Sequence, residues 1–334
     1  MAHQSDSYWL GVAAEQSLIP FSVKRNPRVG AVIVDKTGLP IATGFHEGFG
    51  SAHAEQVALE IAKSKAKQAT IFVNLAPCNH VGKTPSCCET IINSGIKKVV
   101  YSNVDPNPVS QGNIEFLRAN GVEVHHQRAP KKYEKINERW FKSFEFDRPF
   151  VTAKIAMTMD AKTSGLNNKR LQITGAETEF EVHQIRNGCD AILTGTGTVL
   201  VDNPKLNVRL PRKIRQNFQP LRFVAGDREI PSNYVVHDGS PSTIFIPRES
   251  PRLILEKLFN YEVRTVLLES GPTLMTEFMQ KDLVDEIVIY LAPSLLGQGR
   301  AIFDEIIHPV LNRPYNISSV GLVGKDLRIR VSLR

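Results

Sequence analysis

His53-Ala54-Glu55, followed by Pro77-Cys78-Asn79-His80-Val81-Gly82-Lys83-Thr84-Pro85-Ser86-Cys87, decides how the first half of the chain folds. His53 opens an expected helix, Cys78 follows an expected buried strand, and Cys87 starts a second helix. One imidazole and two thiolates give a tetrahedral zinc three ligands and leave a fourth position open for water, as a catalytic site requires. Glu55, two residues after the imidazole, projects beside the metal rather than onto it. Cys88, adjacent to Cys87, points elsewhere from a helix start, so Cys87 is the expected ligand.

The H-x-E and P-C elements together are the signature of zinc nucleobase deaminases. The metal lowers the pKa of its water towards ~7, and Glu55 is placed to carry a proton from the nucleophile to departing ammonia. The departure is the spacing. Cys78 and Cys87 stand nine residues apart, so a looped insertion separates the two thiolates. Reading His53 as a helix cap, Glu55 as surface and the cysteines as core leaves the order of all four elements unexplained.

Outward from this stretch, strands are expected at 29–34, 41–44, 70–75, 98–102 and 122–125. Helices are expected at 53–65, 87–94 and 113–119. That order implies an α/β layer sandwich. A segment rich in Lys, Arg and aromatic residues, 128–148, leads into a second alternation, so the domains are drawn as 1–145 and 146–334. In the second, strands are expected at 151–157, 191–194, 221–225, 243–246, 265–268, 286–291 and 327–332, with helices at 177–187 and 274–279.

The chain has 334 residues, 42% hydrophobic and 22% charged, which suits two ordinary globular domains. No run approaches the ~18 apolar residues of a membrane span. Met1 to Ser7 shows no secretory signal, and a cytoplasmic location is expected. Three of the four cysteines (Cys78, Cys87, Cys88, with Cys189 apart) cluster, which in a reducing compartment reads as metal binding. A net charge of +7 favours anionic partners without choosing among them.

The second half is less explicit. Gly195-Thr-Gly197-Thr-Val-Leu200 after a strand looks like a dinucleotide turn, but Leu200 stands where a third glycine belongs. Glu269-Ser-Gly271-Pro-Thr273, between a strand and a helix, exposes backbone N–H groups that suit an anion. An ordinary strand-to-helix turn explains it equally well.

Further motifs make the reading specific: Asn26-Pro-Arg-Val-Gly30, Gly44-Phe-His46 and Asp105-Pro-Asn107-Pro, beside the long cysteine interval with Gly82-Lys83-Thr84-Pro85 inside it. With the motifs of the second half they resemble the bifunctional RibD family of riboflavin biosynthesis over nearly the whole chain. The resemblance implies a cytidine-deaminase-like α/β/α sandwich followed by a dihydrofolate-reductase-like α/β domain. It implies zinc-dependent deamination of 2,5-diamino-6-(phosphoribosylamino)pyrimidin-4-one, then NADPH-dependent reduction of the ribosyl group to ribityl.

By the same resemblance, Asn26, His46, His80, Lys83, Asp105 and Asn107 contact the pyrimidine or its phosphoribosyl group. Lys154, Asp202 and Glu269 surround the ribose of the second site, with Lys154 or Asp202 managing protons. Arg186 and Arg209 lie near its phosphate, with Leu206 also on the substrate. Ala156, Gln172, Thr198, Asp202, Gly271, Pro272 and Thr273 line the NADPH site. Partners implied are a phosphorylated pyrimidine, NADPH and further copies of the chain in a homo-oligomer, but neither nucleic acid nor membrane. Departures from the family pattern are Arg25 for proline, Ala161 and Ser270 for glycine, Gln172 for tryptophan, and Gly226-Asp227 for an Asp-Ser pair. These bear on reductase efficiency more than on deamination.

Two rivals are a monofunctional nucleoside or tRNA deaminase with an appended non-catalytic domain, and a zinc-stabilised scaffold. The long cysteine interval with Lys83 inside it speaks against tRNA, whose deaminases use the short spacing. An intact Glu55 beside only three ligands speaks against a scaffold.

Overall fold

The structure, a computed structural model, describes residues 4–20, 23–79, 86–165, 171–211, 219–303 and 314–334. It divides into two compact units, Met1–Phe144 and Glu145–Arg334. The first contains α1 (Asp6–Ser17), β1 (Gly30–Val34), β2 (Pro40–Phe45), α2 (Ala54–Ala62), β3 (Thr70–Val73), α3 (Cys87–Asn93), β4 (Lys98–Tyr101), α4 (Asn113–Ala119), β5 (Glu123–His126) and α5 (Glu138–Glu145).

Its sheet runs β2-β1-β3-β4-β5, with β1 antiparallel to both neighbours and β3, β4 and β5 mutually parallel. All five residues of β1 are buried, as expected of a strand covered on both faces. Ala31, Ile33, Ile71, Val73, Val99 and Tyr101 pack on one face with Ala58, Cys88, Ile91 and Leu117 from α2, α3 and α4. Val32, Val34, Phe72 and Val100 pack on the other with Trp9, Leu10 and Ala13 of α1. The unit is therefore an α/β/α sandwich. At Gly44 of β2 a Cβ would lie 2.2 Å from the Ala54 carbonyl oxygen. Only glycine lets the first turn of α2, which carries Glu55, approach the sheet so closely.

The second unit contains β6 (Phe150–Thr158), β7 (Lys162–Ser164), α6 (Ala176–Gly188), β8 (Ala191–Gly195), α7 (Thr196–Asp202), β9 (Leu221–Ala225), β10 (Thr243–Ile246), α8 (Pro251–Asn260), β11 (Thr265–Leu268), α9 (Pro272–Gln280), β12 (Glu286–Ala292), β13 (Arg300–Ala301), β14 (Asn316–Val323) and β15 (Asp326–Ser332). The main sheet runs β10-β9-β8-β11-β6-β12-β15-β14, parallel from β10 to β12 and antiparallel thereafter.

Leu255 and Leu258 of α8 and Met275 and Phe278 of α9 join Val151, Leu193, Phe223 and Leu268 on one face. Val199 of α7 packs with Ile192 and Val224 on the other, where Val182 of α6 also meets Val288 and Tyr290. From β8 the chain winds outward to β9 and β10, then returns to place β11 on the opposite side. The order thus reverses between β8 and β11, and ligands bind at such a switch point, beyond the carboxyl ends of the strands.

Seven elements lie outside the sequence expectation, α1, α5, β7, α7, α8, β13 and β14, and four of them are instructive. The 195–200 segment is the start of α7, entered directly from β8 rather than through a glycine-rich loop. Helix α1 escapes a hydrophobic-periodicity reading because Gly11, Ala13, Ala14 and Ser17 supply much of its buried face. Helix α8 carries a clear apolar face and is capped by Ser250, whose side chain accepts the Leu253 N–H. Strand β14 exposes most of its residues. No helix among the described residues is long and apolar enough to cross a membrane.

One buried ion pair joins the starts of β6 and β12. The Arg148 guanidinium donates twice to Asp285, both at 2.7 Å, and Asp285 also accepts the Val151 N–H. Both side chains are essentially inaccessible. Removing one partner of such a pair strands the other charge and costs about 3–5 kcal/mol. Asp285→Ala is expected to lower the unfolding free energy of this unit by that amount, read as a lower urea midpoint at unchanged slope. Arg148→Met with Asp285→Leu is expected to recover most of the loss.

Candidate active sites

In the first unit His53 is the N-cap of α2 and Cys87 the first residue of α3, while Cys78 follows the end of β3. The His53 backbone N–H donates to Gln56 Oε1, 3.1 Å away, and Ser86 caps α3 by accepting the Glu89 N–H. Both helix N-termini thus point their positive ends at the thiols. His53 Nδ1 lies 3.1 Å from Cys87 Sγ and 3.4 Å from Cys78 Sγ, and the three ligand atoms fall within 4.8 Å of one another. A tetrahedral zinc with bonds of about 2.0–2.3 Å needs ligand separations of about 3.5–3.8 Å, so the donor set and its spacing fit that ion. Cys88 is turned away, its Sγ 3.7 Å from the carbonyls of Pro77 and Asn113.

The hydrogen bond from Cys87 holds the Cys78 thiol down at about 4, whereas the same bond and burial push Cys87 up. The contact with Cys78 raises His53 to about 9. Burial raises the Glu55 carboxyl, only 3% exposed, to about 7. Such a group holds or releases a proton near neutrality.

Beside this cluster the Asn26 amide N–H donates to His46 Nε2 at 2.7 Å, and His46 Nδ1–H donates to the Ala52 carbonyl at 3.0 Å. Burial lowers the His46 pKa, which keeps the ring neutral. The His46 and His53 rings meet edge to face at 5.5 Å. Asp105 lies in the loop after β4, where it accepts from the Asn107 N–H and the Ser110 hydroxyl, and its charge helps raise His53. Asn107 caps the following turn by accepting the Val109 N–H. His80 and Lys83 lie outside the described residues. Sequence reasoning missed Asn74, which accepts the Gly30 N–H and donates to the Arg28 carbonyl. It thereby fixes the chain beyond Asn26, but an asparagine at a strand end carries no signal of its own.

In the second unit a cavity of about 920 Å³ opens at the carboxyl edge of the parallel strands. Its wall brings together Lys154, Ala156, Gln172, Arg186, Thr198, Asp202, Leu206, Arg209, Glu269, Gly271, Pro272 and Thr273 from six separate stretches of chain. Glu269 is the hub. The Arg186 guanidinium donates to both its oxygens at 2.6 and 2.9 Å, and Lys154 Nζ stands 3.7 Å away. Burial opposes its charge, but Arg186 and Lys154 outweigh that and hold the carboxyl at about 2. The Gly271 N–H donates to Thr198 Oγ1 at 2.9 Å, tying the starts of α7 and α9 together. Leu206, also in the wall, is buried with Ile192 and Val199.

His183 was missed. It lines the cavity, accepts the Arg209 N–H on Nδ1, and is held at about 4 by burial and the charges of Arg186 and Arg209. Its signal was the spacing of Glu179, His183 and Arg186, which places three polar groups on one face of α6. Two departures from the family pattern have structural consequences. Ala161 adopts a left-handed backbone, φ +59°, where glycine is better suited. The Ser270 hydroxyl is buried at the cavity wall and finds no partner among the described residues.

The sequence model of the "RibD C-terminal domain" matches residues 149–320, and that of the "cytidine and deoxycytidylate deaminase zinc-binding region" matches residues 4–103. The riboflavin biosynthesis protein RibD of Aquifex aeolicus is 35% identical over 303 residues, 84% of each chain. The solved RibD of Acinetobacter baumannii superposes with a TM-score of 0.89 at 31% identity over 98% of both chains. A diaminohydroxyphosphoribosylaminopyrimidine deaminase/5-amino-6-(5-phosphoribosylamino)uracil reductase from Thermotoga maritima does so at 0.84 and 32%, again over 98% of both. These matches favour two enzymatic domains over a deaminase with a non-catalytic appendage. The chain belongs to the RibD family of bifunctional deaminase and reductase enzymes of riboflavin biosynthesis.

Proposed function

We propose that the two activities divide between the two units. The first deaminates 2,5-diamino-6-(phosphoribosylamino)pyrimidin-4-one, and the second reduces the ribosyl group of the product to ribityl with NADPH. The observation that carries the reading is the convergence of His53, Cys78 and Cys87 beside a buried Glu55. Zinc bound by these three supplies Lewis acidity and a water of lowered pKa. Glu55 takes a proton from the nucleophile and delivers it to the leaving amine. His46, held neutral by burial and oriented through Ala52, turns Asn26 towards the ring. Asp105 and Asn107 shape the loop beside it, with His80 and Lys83 assigned to the phosphoribosyl end.

In the second unit NADPH supplies the hydride. Glu269, with both oxygens engaged by Arg186, is a positioning residue rather than a proton carrier. It holds the Lys154 ammonium at the cavity wall, where Lys154 and Asp202 handle the protons of the opening sugar. Arg209 and the outer edge of Arg186 receive the substrate phosphate, while Ala156, Gln172, Thr198 and the Gly271-Pro272-Thr273 turn receive the cofactor. The partners are small phosphorylated molecules rather than nucleic acid, and the location is cytoplasmic. A homo-oligomer is supported by edge strand β14. Its Ile317, Val320 and Leu322 pair with alternate residues of β15, share one face and are well exposed.

Three outcomes test this. Glu55→Gln should retain one zinc per chain by elemental analysis while ammonia release falls about 10²–10⁴-fold; ammonia release within a factor of two of wild type would remove Glu55 from the proton path. Lys154→Met should cut NADPH oxidation at least about 10²-fold and leave ammonia release alone. Because the folded Glu269 pKa of about 2 lies below its ordinary 4.5, the stabilisation it provides is complete above about pH 4.5 and is lost as pH falls towards 2. Glu269→Gln should therefore narrow the stability difference from wild type only below pH 4.5, as read by thermal melts across pH.

A further inference from the structure

We propose that Arg228 is a phosphate-binding residue of the dinucleotide site, a role that rests on reading this cavity as the reductase site. Arg228 follows β9 at the carboxyl edge of the sheet and lines the same cavity as the Gly195–Thr198 segment and the Gly271 turn. One of its guanidinium nitrogens, NH1, lies 3.5 Å from the place a Cβ would occupy on Gly197. The cation thus lies over the junction of β8 with α7, where the absent side chain leaves backbone open to a ligand.

The loop that carries Arg228 is anchored on both sides. At Gly226, φ +126°, a Cβ would stand 2.5 Å from Thr196 Oγ1, so the loop packs directly on that junction. Asp227 Oδ1 accepts the Arg248 backbone N–H at 2.8 Å, which turns one of its oxygens towards β10. Three neighbouring arginines of the wall already pair with carboxylates. Arg186 is bound to Glu269, Arg209 to Asn207 and Glu179, and Arg248 to Glu277. Of the nearby carboxylates, Glu249 pairs with Lys257. Arg228 has no ion pair or hydrogen bond among the described residues. An exposed guanidinium that lies over a backbone turn without a carboxylate partner is suited to a phosphate, which it meets through paired N–H donors.

Two phosphates of the cofactor have this chemistry, the diphosphate bridge and the 2′-phosphate of the adenosine ribose. Fluorescence titration of the full-length protein with NADPH and with NADH separates them. Arg228→Gln should weaken NADPH binding at least about tenfold, and Arg228→Lys should restore part of the loss. If NADH weakens equally, Arg228 holds the bridge; if NADH is unaffected, it holds the 2′-phosphate. Unchanged affinity for both dinucleotides in Arg228→Gln overturns the proposal, and a far-UV and thermal-melt match to wild type serves as the check on folding. Failure of the wild-type protein to bind either dinucleotide overturns the reductase reading, and this assignment with it.

Discussion

Both units bury ionisable groups at the carboxyl ends of their parallel strands, and the desolvation of those groups is the constraint around which each is built. A charge taken out of water costs several kcal/mol unless a partner or a bound ion compensates it. In the first unit Glu55 sits under the three-ligand cluster, and α2 carries it there only because Gly44 lets the helix backbone touch β2. In the second unit Glu269 is charged because Arg186 grips both its oxygens and Lys154 stands behind. Arg148 and Asp285 repeat the solution where no chemistry is expected, at the opposite ends of β6 and β12. Fold and site are therefore one arrangement: the strands that end together bring the partners together.

The deaminase cluster was legible in the sequence because metal ligation restricts residue type as well as spacing. Histidine, two cysteines and a nearby glutamate admit few structural explanations. The sandwich was legible because β1, β3 and β4 are short apolar runs between helical stretches. The second site was legible without the resemblance only at the Glu269–Thr273 turn. Its central pair, Arg186 and Glu269, is separated by 83 positions and lies on α6 and beyond β11. No local periodicity links an arginine on a helix to a glutamate after a strand. Asn74 escaped for the same reason, since it acts through a partner distant in sequence, whereas His183 had a local signal in its spacing from Glu179 and Arg186. Arg228 escaped because a surface-like Asp-Arg-Glu run reads as a solvated loop until Gly226 is seen packed against Thr196.

The departures from the family pattern are not equal once they are placed. Ala161 keeps the left-handed backbone that glycine would adopt freely, so the turn is preserved at a cost of about 1–2 kcal/mol. Its neighbour Asp160 holds the same turn by accepting from Thr158, Leu296 and Gly297. Gln172, exposed, donates its side-chain amide to the Thr174 carbonyl. Gly226 has a positive consequence, because its missing side chain is what allows the following Arg228 to reach over the β8 junction.

The two glutamates show how environment assigns chemistry. Glu55 and Glu269 share a side chain, deep burial and a place at a strand's carboxyl edge, yet their carboxyls stand at about 7 and about 2. For Glu55 burial dominates and His53 only partly offsets it. For Glu269 burial is overcome by a forked guanidinium and an ammonium. A carboxyl poised near neutrality exchanges protons on demand, whereas one held far below it serves as a fixed negative point that orients cations. Deamination needs the first, because a proton must leave the nucleophile and reach the amine. Reduction through a cofactor needs the second, because the hydride is delivered and the protein's task is to hold lysine and arginine in register with the sugar. The difference lies in what each carboxylate faces: Glu55 has only His53, two residues before it, whereas Glu269 meets Arg186 and Lys154, which the strand order brings from far along the chain.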